Sequence, residues 1–125
     1  MDTRQKILTP ESATSAVAGC GRLRILTGHF DPVHAAHVRR LGELRDGSCT
    51  LVVLTDSDQP ISPQRARAEV LAGLSSVDWV VPTETATAES VLRLFPNAEV
   101  IRDETADAER TRKLMVHVRS RQAAT

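Results

Sequence analysis

His34 and His37 stand three residues apart in the run Gly28-His29-Phe30-Asp31-Pro32-Val33-His34-Ala35-Ala36-His37. On a helix that spacing puts both imidazoles on one face. Imidazole N–H groups donate to anionic oxygen. The first turn of a helix adds unpaired backbone N–H groups and the positive end of the macrodipole, which together suit a phosphate. Two imidazoles at that end fit a site that holds and polarises a chain of phosphates. A histidine pair alone reads as ordinary helix surface. Gly28 and Asp31, upstream at a strand-to-helix turn, give the chemical reading its weight. Zinc is the lesser reading, because it needs a third ligand and no H-E-x-x-H spacing occurs.

The elements around this run must position it. Arg22 to Thr27 is a short apolar strand suited to a buried parallel position. Gly28 allows a sharp exit from it, and Asp31-Pro32 signals the turn, with proline favoured in the first helical turn. The helix then runs to about Leu44 and stops at Asp46-Gly47-Ser48. Thr50 to Leu54 is a second buried strand, and Thr55 to Ile61 is a polar loop at its carboxyl end. Ser62-Pro63 opens a helix to about Leu74, with Ala66, Val70, Leu71 and Leu74 as its apolar stripe. Asp78 to Val81 is a third strand, with Asp78 and Trp79 read as strand-edge and packing residues. Thr87 to Leu94 is a helix and Ala98 to Ile101 a fourth strand. Thr105 to Lys113 reads as helix and Leu114 to Val118 as an edge strand. Strand and helix alternate throughout, which predicts an α/β, doubly wound parallel sheet. Its carboxyl edge is where such sheets take ligands.

The chain of 125 residues predicts one domain over 1–125, with a core at about 22–118. Residues 1–20 read as a leader, either a loosely docked helix capped by Thr9-Pro10 or a disordered segment, and 119–125 as a tail. At 41% hydrophobic the chain can bury a core, but with Phe30, Phe95 and Trp79 as its aromatics that core must be aliphatic. Zero formal charge argues against a nucleic-acid partner, which calls for a basic surface. No apolar run reaches membrane-spanning length and no secretion signal is visible, so no membrane partner and a cytoplasmic location are expected. In that setting Cys20 and Cys49 read as free thiols.

The run from Gly28 resembles the signature of the HxGH nucleotidylyltransferase (cytidylyltransferase-like) superfamily. It is most similar to the branch holding the adenylyltransferase domain of ADP-heptose synthase and glycerol-3-phosphate cytidylyltransferase. That branch carries G-x-F-D-x-x-H-x-G-H-x-x-x-L, and Gly28, Phe30, Asp31, His34, His37 and Leu41 fall on it. Pro60 to Leu74 followed by Val77-Asp78 is similar to the heptose branch's R-A-E-V-L-A and V-D segment, and Thr55-Asp56 to the polar strand end before it. The likeness spans about residues 22 to 102. It implies a Rossmann-like three-layer sandwich and attack by a substrate phosphate on the α-phosphate of a nucleoside triphosphate.

The roles implied are as follows. His34 and His37 are catalytic and donate to the triphosphate. Thr27, Gly28, His29 and Phe30 line the nucleotide cleft through their backbone. Asp31 either caps the helix or orients a ligand or Mg²⁺. Arg67 contacts a nucleotide phosphate, or is a solvated helix residue. Thr55, Asp56 and Arg102 meet the substrate, with an Arg102 ion pair to Asp103 or Glu104 as the other reading. No protein-held metal is implied, only Mg²⁺ with the triphosphate. The partners implied are a nucleoside triphosphate, with ATP favoured, and a small phosphorylated substrate such as a heptose phosphate; a homodimer is also allowed. Three departures stand out. Ala36 replaces the pattern's glycine, the loop from Asp58 to Ile61 lacks the relatives' lysines, and the C-terminus has no Ser-Thr-Thr element. They keep two alternatives open: a degenerate domain that binds nucleotide or a partner without turnover, and a cytidylyltransferase acting on an alcohol phosphate.

Overall fold

The computed structural model of the chain describes residues 2–31, 33–44, 47–55, 61–83 and 87–102. Pro32, Asp56, the loop from Asp58 to Pro60, and the expected helix, edge strand and tail beyond Arg102 lie outside the described residues.

Long apolar runs rather than alternating ones make strands that are buried on both faces. Two such runs, β1 (Leu23–Gly28) and β2 (Cys49–Leu54), form the centre of the sheet. β3 (Trp79–Pro82) and β4 (Glu99–Arg102) flank them in the order β3-β2-β1-β4, and every pairing is parallel. Helices α1 (Pro10–Ala16), α2 (Ala35–Leu44), α3 (Gln64–Ala72) and α4 (Ala88–Leu92) connect or precede the strands.

Side-chain alternation along the strands feeds two cores. Leu26, Val52, Leu54 and Val80 pack with Leu41 of α2 and Ala68, Leu71 and Ala72 of α3. Ile25, Leu51, Val53 and Val81 pack with Ala13 of α1 and Val91 and Leu92 of α4. The result is the expected Rossmann-like α/β sandwich of three layers. Burying one such leucine fully contributes about 1.5–3 kcal/mol, so these two faces dominate the favourable side of folding. Because β1 lies between β2 and β4, the winding reverses there, and in such sheets the carboxyl ends at that point are where ligands bind.

Three expectations are corrected. Residues 3–17 take the helical of the two forms expected, packed on the sheet rather than loosely docked. Ala13 is fully buried, Ile7 bridges to Val80, and Lys6 Nζ donates to the carbonyls of Leu74 and Val77. Thr9 caps α1 as expected, with its Oγ1 accepting from Ser12 N–H at 3.1 Å. Cys20 and Cys49 are not free thiols but a disulfide, with Cα atoms 6.2 Å apart. The parallel pairing of β1 with β2 explains the proximity: Leu23 lies opposite Cys49, and Cys20 closes the turn just before β1. Finally, α2 begins at Ala35 rather than in the turn at Asp31-Pro32, which places His34 just outside the helix.

Candidate active site

The site is built at the carboxyl end of β1. Gly28 is not the pivot its type suggested: it is an ordinary strand residue paired with Leu54, and its carbonyl accepts from Thr55 N–H at 3.0 Å. The chain turns at Phe30, whose φ of 49° is left-handed. A phenylalanine there costs of order 1–3 kcal/mol and persists only where its surroundings over-determine it. Those surroundings are visible on both sides. Arg67 Nη1 donates to the His29 carbonyl, just before Phe30, at 2.6 Å. The Asp31 carboxylate, just after it, accepts from Ile61 N–H at 2.5 Å, Ser62 N–H at 3.0 Å and Ser62 Oγ at 2.8 Å.

The turn delivers the two histidines. The His34 carbonyl accepts from His37 N–H at 2.9 Å, and His34 N–H donates to His37 Nδ1 at 3.2 Å. The second bond is the return half of a capping box, with imidazole in place of the usual carboxylate or amide, while the first is a backbone turn. It also sets the ring: Nδ1 accepts, so the proton of the neutral imidazole sits on Nε2. The two rings stack with centroids 4.0 Å apart, and the His37 ring lies 4.6 Å from that of Phe30. His37 is 2% exposed and Phe30 fully buried, whereas His34 is half-buried. The sequence spacing therefore put the pair together correctly, although only His37 is helical.

The remaining candidates separate into groups. His29, half-buried, sits across from Thr55, with its Nδ1 3.0 Å from Thr55 Oγ1 and 3.2 Å from the Thr55 carbonyl. Arg67 is 3% exposed, not a solvated helix residue. Besides His29 it serves the carbonyls of Ser62 at 3.1 Å and Thr55 at 3.2 Å, so these bonds tie loops together. Asp31 likewise does not cap α2 but holds the segment leading into α3. Thr27 lies in register between Val53 and Arg102, and its buried Oγ1 has no hydrogen-bond partner among the described residues. Arg102 is exposed at the same edge. It pairs with Glu89 of α4 at 2.6 Å; the expected partners Asp103 and Glu104 lie outside the described residues. The bond from Arg102, and then its charge, hold the Glu89 carboxyl below its usual range.

Ala36 occupies the first turn of α2 and is half-buried. Sequence reasoning missed Ser62 and Glu89. Ser62 was visible only as a helix start, and nothing signalled Glu89. For the magnesium ion, the fit is informative: Asp31 is already satisfied by three donors. Among the described residues, no group of three metal-binding side chains comes together. Among the described residues no helix is long and apolar enough to cross a membrane.

A parallel sheet with helices on both faces is a Rossmann-like α/β domain, and the chain belongs to the cytidylyltransferase-like family, whose model matches residues 25–123. It is similar to the "Bifunctional protein HldE" of Alkalilimnicola ehrlichii, 36% identical over 100 residues that make up 69% of this chain and 21% of that protein. The protein of the same name from Shewanella sediminis is 38% identical over 87 residues, 61% of this chain and 18% of its own length. That from Photobacterium profundum is 34% identical over 99 residues, 70% of this chain and 21% of its own. The chain thus spans about a fifth of the length of these relatives.

Proposed function

We propose that this chain is a nucleotidyltransferase that moves a nucleotide from a nucleoside triphosphate, with ATP favoured, onto a small phosphorylated substrate, with a sugar 1-phosphate such as a heptose phosphate favoured. An oxygen of the acceptor phosphate attacks the α-phosphorus, the bond from that phosphorus to the bridging oxygen breaks, and pyrophosphate leaves with both electrons. No covalent enzyme intermediate is needed, so catalysis reduces to alignment and charge stabilisation. His37 Nε2–H and the His34 ring donate to the triphosphate as negative charge builds on it. The N-terminal turn of α2 adds backbone donors and its dipole. Magnesium enters on the triphosphate and offsets its charge. Thr27 lines the nucleotide's side at the end of β1, and Thr55, Asp56 and Arg102 are assigned to the acceptor. A cytoplasmic setting suits a reaction fed by nucleoside triphosphate, and the Cys20–Cys49 bridge is the one feature that argues otherwise.

The observation that carries this reading is the stacked imidazole pair at the junction of β1 and α2, beside the point where the winding reverses. A pyrophosphate-release assay with ATP or CTP against sugar 1-phosphates and glycerol phosphate tests it. Turnover that prefers ATP and a sugar phosphate is expected. A preference for CTP and an alcohol phosphate selects the cytidylyltransferase alternative. The second reading is a domain that binds without turnover. It is favoured by the internal use of Arg67 and Asp31, two charged groups that serve the fold. Nucleotide binding by calorimetry with no pyrophosphate from any pair selects it.

A further inference from the structure

We infer that Asp31 and Arg67 form a two-point brace on the Phe30 turn and are positioning residues for the histidine pair, acting without touching the nucleotide. The inference rests on the reading of His34 and His37 as the phosphate-facing groups. Both braces are buried, at 6% and 3% exposure, and both converge on Ser62. Ser62 N–H and Oγ donate to Asp31, while the Ser62 carbonyl accepts from Arg67 Nε. The same guanidinium reaches the carbonyls of His29 and Thr55 through Nη1.

The main chain is therefore held immediately before and immediately after the one non-glycine residue with positive φ among those described. Pinning both flanks is what a left-handed phenylalanine requires. The pinned residue then sets the pair, because the Phe30 ring lies against His37 and His37 stacks on His34. The route runs from α3 through the turn to the imidazoles. Lysine at position 67 would keep the charge and lose the fork that reaches three carbonyls at once.

The test uses the full chain, comparing wild type with Arg67→Lys, Asp31→Asn and Ser62→Ala, and with Arg65→Gln as a control on the exposed face of α3. Folding is checked by circular dichroism. Proton–nitrogen spectra of the imidazoles report the ring protonation pattern and the ring-current shift that Phe30 imposes on His37. In wild type, His37 should show a protonated Nε2 and an accepting Nδ1. In Arg67→Lys and Asp31→Asn the His37 and His34 ring signals should move, and kcat should fall by about 10–100-fold while KM for ATP changes less than about threefold. Arg65→Gln should leave both unchanged. Ser62→Ala removes a single donor, so it should move the rings in the same direction by less; it decides the matter if the charged variants do not fold.

The brace is overturned if the ring signals stay put in folded Arg67→Lys. A tenfold rise in KM for ATP with unmoved rings would instead make Arg67 a direct nucleotide contact. If magnesium ATP leaves the wild-type rings unperturbed and no turnover occurs, the proposed function fails. The ring shifts among the variants still decide the brace.

Discussion

Reducing the Cys20–Cys49 bridge should weaken the fold substantially and leave the histidine pair in place. The two cysteines are separated by 29 residues. Closing a loop of that size in the unfolded chain removes about 12 cal/mol/K, or roughly 3.6 kcal/mol at 25 °C. That is a large share of the total for a domain with about 5–15 kcal/mol to spare. The bridge sits where β1 and β2 begin, while the site lies where they end. At about 3.3 Å per residue, six-residue strands separate the two by some 17 Å. Trp79, the one tryptophan, is half-buried against the core that α1 and α4 cover, and its fluorescence reports the loss of that core. Urea titrations with and without a phosphine reductant should differ in midpoint by about 2 M, taking a slope near 1.5 kcal/mol/M. Cys20→Ser with Cys49→Ser should match the reduced protein, and pyrophosphate release below the transition should be unchanged. Two thiols titrating in denatured, unreduced protein would restore the free-thiol reading. A bridge present with a midpoint shift under about 0.5 M would refute the loop-entropy argument itself.

His34→Ala and His37→Ala should each lower kcat/KM by about 10²–10⁴-fold in the pyrophosphate-release assay. His37→Ala should also cost about 1–3 kcal/mol in urea denaturation, because it empties a buried place beside Phe30. Full turnover in His34→Ala, whose half-buried ring carries less packing, would remove the pair from the chemistry. Glu89→Gln should strengthen inorganic phosphate binding a few-fold in low salt, measured by calorimetry, by removing a negative charge beside Arg102; no gain would take Arg102 out of the substrate contacts. The acid behaviour follows from the sign of the shift. A carboxyl held below its usual range keeps its pair intact through the ordinary carboxylate range and loses it only as pH falls further. Wild type should therefore gain phosphate affinity relative to the variant only at pH below the ordinary carboxylate range.

Apolar runs and helix-start residues made the layers legible. Ile25-Leu26 and Leu51 to Leu54 could only be strands covered on both faces, and Thr9-Pro10 and Thr87 cap the helices they precede. Contacts made to main-chain atoms were not legible, because a carbonyl has no letter. Arg67 read as a phosphate ligand or a solvated residue, yet its described partners are the carbonyls of residues 29, 55 and 62. Gly28 drew attention as the flexible residue, while the left-handed position fell two residues later, where flanking bonds impose it. Arg102 also pairs with Glu89, 13 residues back on α4, a contact that no spacing in the sequence announces. The disulfide joins the starts of adjacent parallel strands, a proximity that the crossover between them hides.

The same distinction bears on how the site chooses its ligand. Segments leading into two helices, α2 and α3, converge on the Phe30 turn, and each helix start is a place for negative charge. Just ahead of α3 stands a carboxylate: Asp31 binds the N–H groups of Ile61 and Ser62, before the helix begins at Gln64. At α2 that place is framed by imidazoles, with the first-turn N–H groups of Ala35 and Ala36 lacking carbonyls earlier in the helix. An incoming phosphate therefore meets a negative charge ahead of one helix and a donor-lined start at the other. Asp31 thus does two things at once: it holds the turn, and it directs external charge toward His34 and His37. Asp31→Asn weakens the first function and removes the negative charge that enforces the second. It should therefore both loosen the histidine pair and relax the discrimination between the two helix starts.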